Sequence, residues 1–210
     1  MQAMPDIKDF KPPLAAILRG LEPERAADVG RTLFESGFRI LEVPLNRPGA
    51  LDCIATLAQM APADALIGGG TMLSLADVDA VHAAGGRLMV APNCNPSVIA
   101  HAIARGLYAA PGISTPTDAF AALEAGAQVL KLFPAESIGL GGLRSLLSVL
   151  PDGIGLWPVG GVTPQNVGPW VRAGATGFGI GSHLFQPGMP LTALADAARE
   201  FVAAWGIAAR

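Results

Sequence analysis

Lys131 sits in Gln128-Val-Leu-Lys-Leu-Phe-Pro134, with apolar neighbours on both sides. In a strand side chains alternate, so Val129, Lys131 and Phe133 share one face. An amine taken out of water gives up its proton more easily than at its ordinary pKa of about 10.4. The neutral amine that results is the species that attacks a ketone and forms a Schiff base. The alternative is a lysine whose stem is buried while its head reaches solvent. Lys131 is set apart by usage. The only other lysines are Lys8 and Lys11 in the N-terminal arm, and the rest of the 14 basic residues are arginine. Glu42, in Ile40-Leu-Glu-Val-Pro-Leu-Asn46, is a second charged group in an apolar run. A carboxylate there is costly unless paired or used. It could shuttle protons while an imine forms and breaks, or pair with Arg19, and the two roles are compatible.

Other reactive or anion-binding types fall where apolar runs stop. Arg19 follows Leu14-Ala-Ala-Ile-Leu18 and could hold a planar carboxylate with two hydrogen bonds. Thr71 ends Gly68-Gly-Gly-Thr71, and Pro92-Asn93 ends another run. Gly160-Gly161 follow Leu156-Trp-Pro-Val159, and Gly179-Ile-Gly-Ser182 ends the last run. Glycines let backbone N–H groups approach an anion, and a following helix start adds to the attraction. Each feature also has a plain reading, as turn glycine or surface arginine. The G-x-G-x-G of 177–181 has the wrong spacing for a dinucleotide fingerprint. His82, His101 and His183 fall in different units without metal-ligand spacing, so no metal is expected. Cys53 and Cys94 make neither a CxxC pair nor a disulfide framework.

The elements that must position these residues repeat along the chain. Candidate strands are Leu14–Leu18, Ile40–Val43, Leu66–Gly68, Arg87–Val90, Leu107–Ala109, Gln128–Phe133, Leu156–Val159 and Gly177–Ile180. Amphipathic helical patterns lie between them: Glu24–Ser36, Asp77–Ala84, Thr117–Ala125 behind a cap at Thr115, and Pro164–Ala173 ending at Gly174. The tail Leu191–Trp205 reads as a last helix. Alternating strands and helices argue for an α/β fold with a parallel sheet, and eight repeats match a closed (β/α)8 barrel. An open, doubly wound sheet is the alternative. In a barrel the site lies at the C-terminal ends of the strands, which is where the residues above fall. The span 1–210 reads as one domain with a short N-terminal arm.

Composition sets limits. The chain is 51% hydrophobic and 15% charged, with a net charge of -3. Clustered Lys and Arg of a nucleic-acid footprint are missing. The start is polar, without a signal-peptide core, and the long uncharged stretches are broken by Gly and Pro. A cytoplasmic protein without membrane or nucleic-acid partners is expected.

In order from about residue 10 to 205, Leu18-Arg-Gly20, Glu42-Val-Pro-Leu-Asn46, Gly68-Gly-Gly-Thr71, Pro92-Asn93, Lys131-Leu-Phe-Pro134, Pro158-Val-Gly-Gly-Val162 and Gly179-Ile-Gly-Ser182 resemble the class I aldolases of 2-keto-3-deoxy-6-phosphosugar acids. The resemblance implies a barrel, a homotrimer, no metal or other cofactor, and cleavage of a phosphorylated keto-acid sugar to pyruvate and D-glyceraldehyde 3-phosphate. It implies Lys131 as the imine lysine and Glu42 as general acid and base. Arg19 and Thr71 would hold the pyruvate carboxylate and nearby groups, with Pro92, Phe133, Val159 and Asn46 lining the substrate. Gly160, Gly161, Gly181 and Ser182 would hold phosphate. The gluconate branch of the family usually has Arg four residues after the glutamate and Thr before the Gly-Gly turn. Asn46 and Val159 stand there instead and look like the galactonate branch, although Arg47 is only one position away. Two rivals remain: a phosphate-binding barrel isomerase or decarboxylase without imine chemistry, and a sugar-phosphate-binding regulator.

Overall fold

The computed structural model describes residues 6–209. The outermost residues of the expected 1–210 domain lie outside that range. Nine strands alternate with eight helices: β1 (Leu14–Ile17), β2 (Ile40–Pro44), β3 (Leu66–Gly70), β4 (Leu88–Val90), β5 (Tyr108–Ala110), β6 (Gly112–Ile113), β7 (Val129–Leu132), β8 (Gly155–Pro158) and β9 (Phe178–Ile180). Every strand pairing is parallel. One sheet runs β5-β4-β3-β2-β1-β9 and the other β6-β7-β8. β1 to β5 follow chain order in one direction, without the reversal that a doubly wound sheet has at its switch point. This is an α/β fold with curled parallel sheets.

The expected fifth strand is present as two pieces. Pro111 separates β5 from β6, because proline has no N–H to give the ladder. Gly112 then passes close to the chain at Pro92, and a Cβ on it would lie 2.3 Å from the Pro92 carbonyl oxygen. The two sheets meet again at a single parallel bridge, Val159 to Gly179.

The helices are α1 (Pro23–Glu35), α2 (Ala50–Met60), α3 (Leu75–Ala83), α4 (Pro96–Ala104), α5 (Pro116–Glu124), α6 (Ala135–Leu147), α7 (Pro164–Ala173) and α8 (Leu191–Ala208). Their ends follow the capping chemistry of the sequence. Thr115 Oγ1 accepts from the Asp118 N–H at 3.2 Å, and Gly174 closes α7 in the left-handed region at φ 112°. Ser74 caps α3, which starts two residues before the expected Asp77, and α8 runs three residues past its expected end. α6 is hidden in the sequence by Gly139, Gly141 and Gly142, which are poor helix formers. Gly139 interrupts the helix at φ 71°.

Two apolar layers result. The larger packs helices against the outer faces of the strands. The smaller lies inside the curl and includes Ala15, Ile40, Leu66, Leu88, Val90, Tyr108, Val129 and Trp157. The polar reading of the N-terminal arm is corrected by this inner layer. Ile7 and Phe10 are buried in it, and the Phe10 ring packs edge-on against Tyr108 at 5.7 Å. Together they close the floor beneath the N-terminal ends of the strands. Among the described residues, no helix is long and apolar enough to cross a membrane.

Candidate active site

Alternation along β2 and β7 decides what faces the interior. Ile40 and Val129 belong to the inner layer, so Glu42 and Lys131, two residues on, point the same way. They are the only buried charged side chains among the described residues, with exposures of 2% and 9%. Both line a small cavity of about 20 Å³ with Ala15, Leu88, Val90 and Trp157. A space of that size takes roughly one water or one carbonyl group.

Each buried charge shifts the other. Burial pushes the Glu42 carboxyl up to about 7, against the opposing pull of the Lys131 and Arg19 charges. Burial likewise moves the Lys131 amine below its ordinary value; the Glu42 carboxylate opposes this, and the Arg19 charge adds to it. A carboxyl poised near neutrality can both give and take a proton, and a lysine with a lowered pKa gives up its proton more readily to become the nucleophilic amine. Lys131 Nζ stands 4.8 Å from the centroid of the Phe133 ring, which fixes the end of its chain over an apolar surface. Glu42 Oε2 is buried without a hydrogen-bond partner among the described residues. It lies close against Gly70.

Gly70 makes room for that carboxylate. It lies opposite Pro44 in the β2–β3 register, and a Cβ on it would come within 1.8 Å of Glu42 Oε2. Gly70→Ala is therefore expected to displace Glu42 and lower kcat by about 10² or more. A variant with wild-type kcat would show that the carboxylate position is not critical.

A wider cavity of about 310 Å³ opens beside the small one. Ile17, Val159 and Gly179 line both, so the two spaces adjoin. Arg19, Phe133, Gly160, Gly161, Gly181 and Ser182 line the wide one. Gly160 and Gly161 have φ of 108° and 65°, and this left-handed pair turns the chain between β8 and α7. Asn166, in the first turn of α7, holds the turn: its Nδ2 donates to the Gly161 carbonyl at 2.8 Å, and its Oδ1 accepts from the Thr163 N–H at 2.9 Å. No carboxylate is among the residues lining this cavity, and Arg19 is its one permanently charged side chain.

The expected site residues thus divide. Lys131, Glu42, Arg19, Phe133, Val159, Gly160, Gly161, Gly181 and Ser182 gather around the two cavities. Thr71, Pro92 and Asn46 do not line them. Thr71 ends β3 at φ 55°, a left-handed conformation uncommon for a β-branched residue. Asn46 reaches the site through Arg19, whose Nη1 donates to Asn46 Oδ1 at 3.0 Å. No ion pair forms between Arg19 and Glu42 among the described residues. Arg47 lines a separate surface cavity with Asp52 and Asp77, so it does not replace an arginine at position 46.

A family model described as "KDPG and KHG aldolase" matches residues 10–194. The chain belongs to this aldolase family. It is 46% identical over 177 residues to the "Probable 2-dehydro-3-deoxy-6-phosphogalactonate aldolase" of Rhizobium meliloti (strain 1021), covering 84% of each chain. It is 43% identical over 196 residues to the "2-dehydro-3-deoxy-6-phosphogalactonate aldolase" of Escherichia coli (strain K12), covering 93% of this chain and 95% of that one. A solved structure described as "Native KDPGal structure" superposes with a TM-score of 0.93 at 41% identity, over 95% of this chain and 97% of the other.

In this aldolase some cavity residues carry no motif in the sequence. Trp157 lies opposite Lys131 in the β7–β8 register and walls the small cavity. Strand alternation from Val159 was a signal that could have found it. His183 stands out in the sequence only as a possible metal ligand, and Gln186 carries no signal; both line the wide cavity from the loop after β9. The other two histidines lie away from both cavities, and His101 pairs with Asp79 at 2.9 Å.

Proposed function

We propose that this chain is a Schiff-base aldolase that cleaves 2-dehydro-3-deoxy-6-phosphogalactonate to pyruvate and D-glyceraldehyde 3-phosphate. The observation that carries the reading is the pair Lys131 and Glu42, both buried and lining one small cavity that adjoins a wider one lined by Arg19 and the Gly160-Gly161 turn. The names of the relatives above, at 43–46% identity, support the substrate.

The keto end of the substrate enters the small cavity, and the phosphate lies in the wide one against Gly160, Gly161, Gly181 and Ser182. Lys131 Nζ attacks the C2 carbonyl, and Glu42 gives a proton to the departing hydroxyl of the carbinolamine, so water leaves and a protonated imine remains. Glu42, left as a carboxylate, takes the C4 hydroxyl proton as C3–C4 breaks. That bond's electrons pass into the imine, giving an enamine and releasing the phosphorylated aldehyde. Protonation of the enamine at C3 and hydrolysis of the imine return pyruvate and free Lys131. Arg19 holds an anionic group of the substrate from the rim of the wide cavity.

Borohydride reduction in the presence of pyruvate tests this directly. A stable pyruvate-derived adduct mapped to Lys131 is expected. Folded protein without an adduct overturns the imine reading and favours the phosphate-binding isomerase.

Val159 is the proposed selector of C4 configuration, since it lines both cavities. Val159→Thr adds a hydroxyl and is expected to shift the kcat/KM ratio of the two C4 epimers toward the gluconate compound by about tenfold. An unchanged ratio removes Val159 from that role.

The same reading extends to architecture. The described residues form one domain, and β5 and β6 act as one strand interrupted at Pro111. The Val159–Gly179 bridge closes the two sheets into a (β/α)8 barrel, a reading supported by the continuous parallel register on either side. A homotrimer working in the cytoplasm completes the proposal, to be tested by light scattering and fractionation.

A further inference from the structure

Arg19 and Asn46 occupy equivalent places, each two residues beyond its strand, on β1 and β2. Those strands pair with Ile17 opposite Glu42. This register brings the two loops together although the residues are 27 apart, and Arg19 Nη1 donates to Asn46 Oδ1 at 3.0 Å. No carboxylate lies within ion-pair distance of Arg19 among the described residues. The guanidinium is exposed and long, so it would sample many rotamers if nothing held it. Asn46 holds it with a neutral acceptor. One of the five guanidinium N–H groups is used, and the full positive charge stays available to the wide cavity. An aspartate at position 46 would hold Arg19 at least as firmly but would cancel its charge there. Asparagine is the residue of that shape that orients the arginine without neutralising it.

We infer that Asn46 is a positioning residue for substrate affinity: it aims Arg19 at an anionic group of the substrate and does not itself touch the substrate. This departs from the substrate-lining role implied by the family resemblance, and it rests on the anion-binding role proposed above for Arg19.

The test is a double-mutant cycle with 2-dehydro-3-deoxy-6-phosphogalactonate as substrate, alongside thermal midpoints for each protein. Asn46→Ala is expected to raise KM about tenfold with kcat nearly unchanged, and to lose that effect when Arg19 is already alanine. Asn46→Asp keeps the shape and the acceptor, yet is expected to raise KM at least as much as Asn46→Ala. A purely structural role would leave this near-isosteric variant close to wild type. If the Asn46→Ala effect persists in the Arg19→Ala background, Asn46 acts on its own and the inference is wrong, while the aldolase reading stands. Wild-type KM in Asn46→Asp likewise overturns it alone. An Arg19→Ala protein with unchanged KM, or a wild-type protein inert toward the substrate, overturns the functional reading and this inference together.

Discussion

Lys131→Met protein is expected to fold, to bind no pyruvate covalently, and to lose turnover by roughly 10⁵-fold, the scale of removing a covalent nucleophile. Methionine is close to the lysine stem in length and apolar character, so the packing against Phe133 and Trp157 is kept while the amine is lost. Steady-state rates and borohydride trapping check this side by side. Loss of the adduct with turnover near the wild-type rate would show that the imine lies off the reaction path. The variant should also unfold at a higher temperature than wild type. Burying the amine costs stability wherever it would be charged in water, and its depressed pKa shows that the cost is present.

Glu42→Gln has the second largest effect. It keeps the volume of the side chain and removes proton transfer, so kcat is expected to fall by about 10² to 10⁴. The limb of the pH–rate profile that belongs to Glu42, placed near neutrality by a carboxyl of about 7, should vanish with it. Stability gives an independent readout. The unfolded carboxyl titrates near 4.5 and the buried one near 7. Between those values the native state holds the extra proton, so wild-type stability falls as pH rises through this window and levels off above it. The whole cost is about 3 kcal/mol. Glu42→Gln removes it, and is expected to be more stable than wild type near pH 8 but not near pH 4. Equal stability at both pH values would mean that Glu42 is not held in a desolvated state.

What could be read from residues alone was the part governed by short-range periodicity. Two-residue alternation was enough to put Val129 and Lys131 on one face, and a lone lysine in an arginine-using chain marked the nucleophile. Thr115, Pro116 and Gly174 marked helix ends because capping is a local event. What escaped was set by contacts between distant segments. The break at Pro111 depends on Gly112 passing the chain at Pro92. The Asn46–Arg19 bond depends on the register of β1 against β2. Nothing near Ile7 and Phe10 shows that they will meet Tyr108. His183 and Gln186 reach the cavity by the path of a loop, which has no period to read.

The floor made by Ile7, Phe10 and Tyr108 has a kinetic consequence for the proposed reaction. In the proposed closed barrel the interior is a blind alley with one door, and its innermost place belongs to the group bonded to Lys131. The aldehyde stands between pyruvate and that door, so departure is a queue whose order is set by the walls as well as by the covalent bond. Pyruvate in the medium, which can refill the far end while the outer end stands open, should then act against the free enzyme and the aldehyde against the loaded one.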